Sequence, residues 1–348
     1  MKNLLFFSLL FLSSLIAYSQ KKEMAENFRN GDYDKTIEIG KKILEAEPDD
    51  FETILFIAKA QNEKGNFADA APYLASAKKL AKEGWQKSWM LLETARNSFG
   101  TGNIQETRMH YKEALAVSGT KNSAKELKSF GMLSGLDDFY KDWKIRESKN
   151  IIFHFEGNIS IQEIERIVKT RQEAFDEVNS FFNSAMLKKI DFFVWNLEQS
   201  FNPALNANLG FSCPALGISH NRLGQTPGHE IAHNISFWKS KSGLTTKFIN
   251  EGIGVCFDQQ KNDKMKIAQE IYKNNPIDIK EIWKSQAKLS DGILYPISGA
   301  FVELLVEYDK EKFFKLNENQ TYENALKVYG REIDELIEGF TLNLKQIR

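Results

Sequence analysis

Residues 226–233 read Thr-Pro-Gly-His-Glu-Ile-Ala-His and end in the pattern H-E-x-x-H. On an α-helix, His229 and His233 are four residues apart, so both imidazoles project from one face and can meet one ion. Thr226 is predicted to cap this helix. The apolar side chains of the segment fall on another face, which predicts a buried side that holds the two histidines rigidly.

A third ligand is expected after this helix, because catalytic zinc usually takes three protein ligands and keeps one position open. Glu251, followed by Gly252 and Gly254, is predicted to supply it from a second helix capped at Thr245 or Thr246. The two glycines are expected to let the second helix lie close against the first.

These segments resemble the gluzincin clan of thermolysin-like zinc metallopeptidases, tightly over residues 228–257 and loosely over residues 150–348. The resemblance implies one Zn²⁺ ion held by His229, His233 and Glu251. It implies that Glu230 is the general base, which takes a proton from water and passes it to the leaving amine. It also implies that Tyr295 donates to the oxyanion, whereas the alternative for Tyr295 is an ordinary, partly buried aromatic side chain.

Two other classes of metallopeptidase are disfavoured because this sequence lacks residues that their motifs require. Metzincins require a third histidine six residues after His233, where this chain has Lys239. No G-x-M-x-N exopeptidase motif is present, so an endopeptidase acting on a peptide or protein substrate is favoured over an aminopeptidase. The resemblance further implies that the segment before the motif helix, residues 209–219, holds an extended substrate by β-augmentation.

Several other residues near the motif have two interpretations each. Asp258 follows Glu251 on the same helix face and is a candidate partner for a ligand histidine. His220 is either a group of the substrate cleft or a strand histidine with a structural partner, and Asn250 is interpreted as a surface or capping residue.

Cys213 and Cys256 could form one disulfide or be two buried apolar side chains. The two remaining histidines, His110 and His154, are interpreted as structural.

A repeat precedes these motifs. Gly31-Asp32-Tyr33, Gly65-Asn66-Phe67 and Gly102-Asn103-Ile104 recur at spacings of 34 and 37 residues, each between two helical runs. This period resembles tetratricopeptide repeats, whose helix pairs bury their apolar stripes only by stacking on neighbours. Residues 125–143 are predicted to form a capping helix or linker. We therefore expect an all-α tetratricopeptide-like domain over residues 20–145, with a protein partner as its expected ligand.

The periodicity changes after residue 150. Short β-rich runs occur at residues 151–155, 190–195 and 217–220, an amphipathic helix is predicted at 161–182, and the chain after residue 226 is mostly helical. A small sheet followed by helices is an α+β pattern. The predicted fold class is therefore α+β, with all-α tetratricopeptide-like repeats followed by a zincin-like catalytic domain over residues 150–348.

Charge and the first residues indicate where the protein acts. The 46 basic and 47 acidic residues create no field that would attract nucleic acid. Residues 1–19 combine Lys2, an apolar run and Ala17-Tyr18-Ser19, which predicts a cleavable signal peptide and an exported, periplasmic or secreted protein. The apolar run is shorter than the roughly 20 residues that a membrane span needs, so no membrane span is expected after cleavage.

A second function remains open at this level. The repeats could be the active part of a tetratricopeptide-type binding scaffold, with an inactive or regulatory peptidase-like domain. The repeats could also be only a packing support for the catalytic domain.

Overall fold

Helices predominate in the computed structural model, which describes residues 19–196, 204–241, 243–285 and 288–346. The α+β class is confirmed, because one mixed sheet accompanies the helices in this part of the chain. The predicted signal peptide lies outside the described residues except for Ser19. None of the helices in the described ranges has the length and apolar character to cross a membrane. The chain divides into two compact units, Met1–Asp137 and Asp138–Arg348.

The first unit is helical throughout its described part. Its helices are α1 (residues 19–29), α2 (Tyr33–Ala46), α3 (Phe51–Glu63), α4 (Phe67–Leu80), α5 (Gly84–Gly100), α6 (Ile104–Ala116) and α7 (Lys121–Ser134).

The recurring glycine triplets lie at the turns before α2, α4 and α6. Gly31, Gly65 and Gly102 have φ angles of 78°, 66° and 81°, which L side chains rarely adopt. Asp32 then caps α2 by accepting from the Lys35 amide, and Asn103 caps α6 in the same way. The triplets therefore recur because each one reverses the chain and starts a helix.

The predicted helix at residues 125–143 is wrong at its end. Helix α7 stops at Ser134, because Gly135 adopts a left-handed conformation and its amide donates to the Gly131 carbonyl. A short 3-10 turn, Asp138–Tyr140, and a strand follow. The apolar residues beyond Gly135 continue the helical spacing of the sequence, but they lie after the end of the helix.

The second unit contains a five-stranded sheet in the order β1-β2-β3-β5-β4. Its strands are β1 (Lys144–Glu147), β2 (Ile151–Phe155), β3 (Ile190–Trp195), β4 (Phe211–Cys213) and β5 (Ile218–Arg222). The two outer pairs are antiparallel and the two inner pairs are parallel. The predicted strands at 151–155 and 190–195 are confirmed, and the third begins one residue later than predicted. The edge strand β1 was not predicted, and β4 falls within residues 209–219, where only the resemblance implied a strand.

The helices of this unit include α8 (Ile161–Phe182), at the predicted bounds. The others are α9 (His229–Ser240), α10 (Lys247–Cys256), α11 (Lys264–Asn274), α12 (Ile279–Ser285), α13 (Asp291–Tyr308), α14 (Lys310–Glu318), α15 (Tyr322–Tyr329) and α16 (Glu332–Lys345). Phe153 and Phe192 from one face of the sheet share a buried core with Ile231 and Ile235 of α9. This burial holds α9 firmly against the sheet.

Helices α10 and α13 pack closely at a glycine. A Cβ atom at Gly252 would lie 2.5 Å from Val302 Cγ2 and 2.7 Å from the Ser298 carbonyl oxygen, both on α13. Gly252 therefore serves the contact with α13 rather than the predicted contact with α9.

We expect Gly252→Ala to lower the free energy of unfolding by about 1–3 kcal/mol, because the added methyl group overpacks this interface. Gly339→Ala on α16 is the matched control, since no atom lies within 4 Å of its added Cβ. There the higher helix propensity of alanine should raise stability by up to about 1 kcal/mol. Denaturant unfolding of both variants measures the difference, and equal stabilities would contradict the close packing.

Candidate metal centre

The two histidines of the motif lie one turn apart on α9. Their ring centroids are 4.9 Å apart. Ile231 and Ile235 on the opposite side of the helix are fully buried. Because these apolar side chains are locked in the core, the face that carries His229 and His233 has little freedom to move.

Helix α9 begins later than predicted. Gly228 is its N-cap, and Thr226 lies outside the helix. A Cβ atom at Gly228 would lie 2.2 Å from the Phe257 carbonyl oxygen, and the Gly228 amide donates to the Asp258 carbonyl oxygen at 3.2 Å. Only glycine allows this close approach, through which the chain after α10 supports the start of α9.

Glu251 reaches both histidines from α10, which Thr246 caps. Its Oε2 atom is 3.4 Å from His229 Nε2 and 3.8 Å from His233 Nε2. The three residues each offer one ligand atom, and these atoms all lie within 4.8 Å of one another. Ligand atoms about 2.0–2.2 Å from a tetrahedral zinc are roughly 3.3–3.5 Å apart. The donor set fits a zinc ion, and the two distances from Glu251 lie close to this spacing.

The charges of the three side chains depend on one another. Burial alone would raise the pKa of Glu251, but the hydrogen bond from His229 and the charges of both imidazoles lower it to about 2. Burial and the neighbouring His229 lower the pKa of His233 to about 4. Burial lowers the pKa of His229, but the hydrogen bond with Glu251 and the charges of the nearby carboxylates outweigh it, so this pKa is raised. Metal binding requires an ionised carboxylate and neutral imidazoles, so a metal would compete with a proton at His229.

Glu230 lies beside the triad without joining it. The side chain is only 4% exposed, and burial is the main reason that its pKa rises to about 6. Its Oε2 atom accepts a hydrogen bond of 2.7 Å from the Ser212 hydroxyl. The carboxylate is therefore held in place by the edge strand β4.

Ser212 is a site residue that sequence reasoning missed. It pairs with Ser219 across β4 and β5, and Asn234 of α9 donates to the Ser219 hydroxyl at 2.8 Å. Asn234 also donates to the Glu230 carbonyl oxygen at 2.9 Å. No motif marks these residues, and the only signal was the expectation of a strand before the motif helix.

Tyr295 also lies at the triad. Its ring stacks on that of His229, with centroids 5.8 Å apart and planes at 22°. Burial raises the pKa of Tyr295, and the charge of Glu251 and a hydrogen bond to it raise it further. Tyr295 lies in the second turn of α13. The structure thus brings Tyr295 next to the three candidate ligands, His229, His233 and Glu251.

The remaining candidates are more dispersed. The Asp258 carboxylate accepts from the Gln260 amide at 2.8 Å and acts on His229 only through its charge. Asn250 is half-buried, and its side chain partly opposes the fall in the pKa of His233.

The strand histidines have structural partners, as expected. His220 is fully buried, accepts from Trp195 Nε1 at 3.0 Å and stacks on Phe193 at 4.4 Å. His154 stacks on the other face of Phe193 and hydrogen bonds to Asp191 at 2.8 Å. These rings lie on the sheet face away from α9.

The remaining histidine and the two cysteines lie apart from the triad. His110 lies on α6 near Glu113. Cys213 and Cys256 are thiols and form no disulfide with each other. Cys256 is half-buried, and this burial raises the pKa of its thiol to about 12, which fits an unreactive thiol.

Gly254 makes room for His229. A Cβ atom at this position would lie 2.5 Å from His229 Cε1 and 2.6 Å from His229 Nε2. We expect Gly254→Ala to weaken metal affinity by about 10–100-fold, because it displaces a ligand ring without removing it. A competition titration with a chromophoric zinc chelator measures this, with Gly339→Ala as the control. Unchanged affinity would show that His229 does not bind the metal.

Comparison with known proteins suggests no function, so the residues described above are the basis for assigning one. The chain matches no protein-family model and no curated protein.

Proposed function

We propose that this chain is an exported zinc-dependent peptidase of the gluzincin, thermolysin-like type, and that it cleaves within peptide chains. The observation that carries the proposal is the convergence of three metal donors from α9 and α10 beside a second, buried carboxylate, Glu230, that is not among them. His229 and Glu251 keep 15% and 18% of their side-chain surface exposed, so a substrate can reach the site.

His229, His233 and Glu251 would hold one Zn²⁺ ion. When bound there, zinc supplies a Lewis acid that polarises a peptide carbonyl and lowers the pKa of water. Glu230 accepts the proton of the attacking water at its Oε1 atom, since Oε2 takes the Ser212 hydrogen bond. It then delivers this proton to the nitrogen of the leaving amine. The Ser212 contact keeps the carboxylate oriented through both transfers.

Tyr295 stabilises the negative charge that develops on the carbonyl oxygen. Its raised pKa keeps the hydroxyl protonated, so it remains a hydrogen-bond donor. Its contact with Glu251 places the hydroxyl at the edge of the donor cluster. A hydrogen-bond donor in this place interacts strongly only when negative charge forms on the carbonyl oxygen. It therefore stabilises the transition state more than the bound substrate.

The substrate binds along β4 in an extended conformation. This strand is the last in the described sheet and pairs with β5 on one side. A peptide added to its other side would form main-chain hydrogen bonds. Because Ser212 of β4 contacts Glu230, such a peptide would pass the general base.

The domain organisation of the proposal follows the sequence. Residues 1–19 act as the signal peptide, the helices that follow up to Asp137 form tetratricopeptide-like repeats that bind a protein partner or the substrate, and the unit from Asp138, which includes β1, forms the zincin-like domain. The left-handed glycines before α2, α4 and α6, with the side-chain caps of α2 and α6, support the repeat assignment. A binding scaffold with an inactive peptidase-like domain is the alternative.

Metal analysis of the mature protein, together with cleavage of a denatured protein mixture, tests the proposal. We expect about one zinc per chain, cleavage that stops when a chelator removes the metal, and cleavage that returns when zinc is added. A protein that binds zinc but cleaves nothing would favour the scaffold. A protein that binds no zinc would end the proposal.

A further inference from the structure

A pocket of about 200 Å³ opens beside the metal centre. Three apolar side chains, Val255, Ile267 and Pro296, form part of its wall. Tyr295 and Asp258 also line it. An engineered cavity of about 150 Å³ holds a benzene molecule, so this pocket has room for one large side chain.

The pocket shares its wall with the metal centre. Tyr295 lines the pocket and stacks on His229, a proposed metal ligand. The backbone on either side of Asp258 packs against Gly228, the residue before His229. A peptide whose scissile bond lies at the three donors would therefore have a neighbouring side chain within reach of the pocket.

The polar part of the pocket includes a carboxylate. Asp258 is 8% exposed, and its carboxylate accepts one hydrogen bond from the Gln260 amide. Lys264 also lines the pocket; its ammonium group is 3.3 Å from Glu303, and its charge also acts on Asp258. Asp258 is the one carboxylate among the described residues that line this pocket, so it is the group that would meet the cationic end of a ligand.

We infer that this pocket binds an arginine or lysine side chain of the substrate, with the cationic end at Asp258 and the aliphatic stem against Val255, Ile267 and Pro296. The inference rests on the proposed peptidase function, because it identifies the pocket as a specificity site of that centre. Long basic side chains suit it, since they bury apolar stems while their charged ends meet a carboxylate.

Binding to metal-free protein tests the pocket independently of catalysis. Ligand-observed NMR titrations use N-acetyl-argininamide and N-acetyl-citrullinamide, whose side chains have similar shapes but differ in charge. We expect arginine to bind more tightly than citrulline, and Asp258→Asn to weaken arginine binding by about tenfold or more, since the cation loses its partner. The asparagine oxygen can still accept from Gln260, which preserves the local turn. Equal binding of the two ligands would overturn the inference.

Two further variants separate charge from shape. Asp263→Asn removes a charge that caps α11 outside the pocket wall and should leave arginine binding unchanged. Ile267→Phe fills the pocket and should weaken both ligands. Retained binding in Ile267→Phe would place the ligand elsewhere on the protein.

Cleavage sites in a denatured protein mixture give the second readout, with zinc-loaded protein and mass spectrometry. We expect lysine or arginine to be enriched at one position next to the cleaved bond, and Asp258→Asn to abolish this enrichment. Cleavage without enrichment would overturn the pocket inference and leave the peptidase proposal intact. Absence of cleavage by a zinc-loaded protein would count against the peptidase, while the NMR titration would still decide the pocket.

Discussion

Glu230→Gln is expected to lower peptide hydrolysis by about 10²–10⁴-fold, the usual contribution of a positioned general base, and to leave zinc binding intact. The amide has nearly the same shape as the carboxylate, but it cannot take a proton from water at neutral pH. Its oxygen can still accept the hydrogen bond from Ser212. The loss should therefore reflect proton transfer and not a displaced side chain.

Three measurements decide this prediction: zinc content, the rate of cleavage, and thermal stability. Glu173→Gln is the matched control, because it removes one carboxylate from an exposed position on α8. The control should retain the activity of the native protein. Equal rates in Glu230→Gln and the native protein would remove Glu230 from the mechanism and, with it, the proposed chemistry.

Local patterns predicted the ligand-bearing elements well, for a physical reason. The spacing of His229 and His233 places them on one face of any regular α-helix, so the tertiary fold is not needed to predict it. The helix at 161–182 and the strands at 151–155 and 190–195 carry strong apolar periodicity, and their bounds are confirmed. These features depend mainly on near neighbours in the chain.

Features that depend on distant partners were missed. Strand β1 is exposed along its length and β4 has only three residues, so neither shows the alternation of a half-buried strand. Ser212 belongs to the candidate site only because β4 pairs with β5 and thereby lies close enough to α9 to contact Glu230. The contact of Gly252 with α13 joins residues about 50 positions apart, which no local pattern records.

Glu251 and Glu230 have different surroundings at the candidate metal centre. The charges of both glutamates interact with His229, yet their pKa values move in opposite directions, to about 2 for Glu251 and about 6 for Glu230. Glu251 faces two imidazoles, whereas burial dominates at Glu230. Two carboxylates with different environments can therefore take the separate roles of ligand and base.

Glu251→Gln is expected to weaken zinc binding by more than ~100-fold, which exceeds the usual cost of losing an outer-shell partner. The neutral amide cannot replace the negative charge that now faces His229 Nε2 at 3.4 Å and His233 Nε2 at 3.8 Å. With the metal lost, hydrolysis should fall to background at ordinary zinc concentrations, whereas Glu230→Gln should keep its zinc.

The two variants thus give opposite metal contents and the same loss of activity. Zinc competition titration and metal analysis after dialysis distinguish them, with Glu173→Gln again as the control. If Glu251→Gln retained one tightly bound zinc per chain, the carboxylate would not be a ligand. The short distances at Glu251 would then reflect an ion pair between this carboxylate and a protonated His229, which needs no metal and supports no hydrolysis.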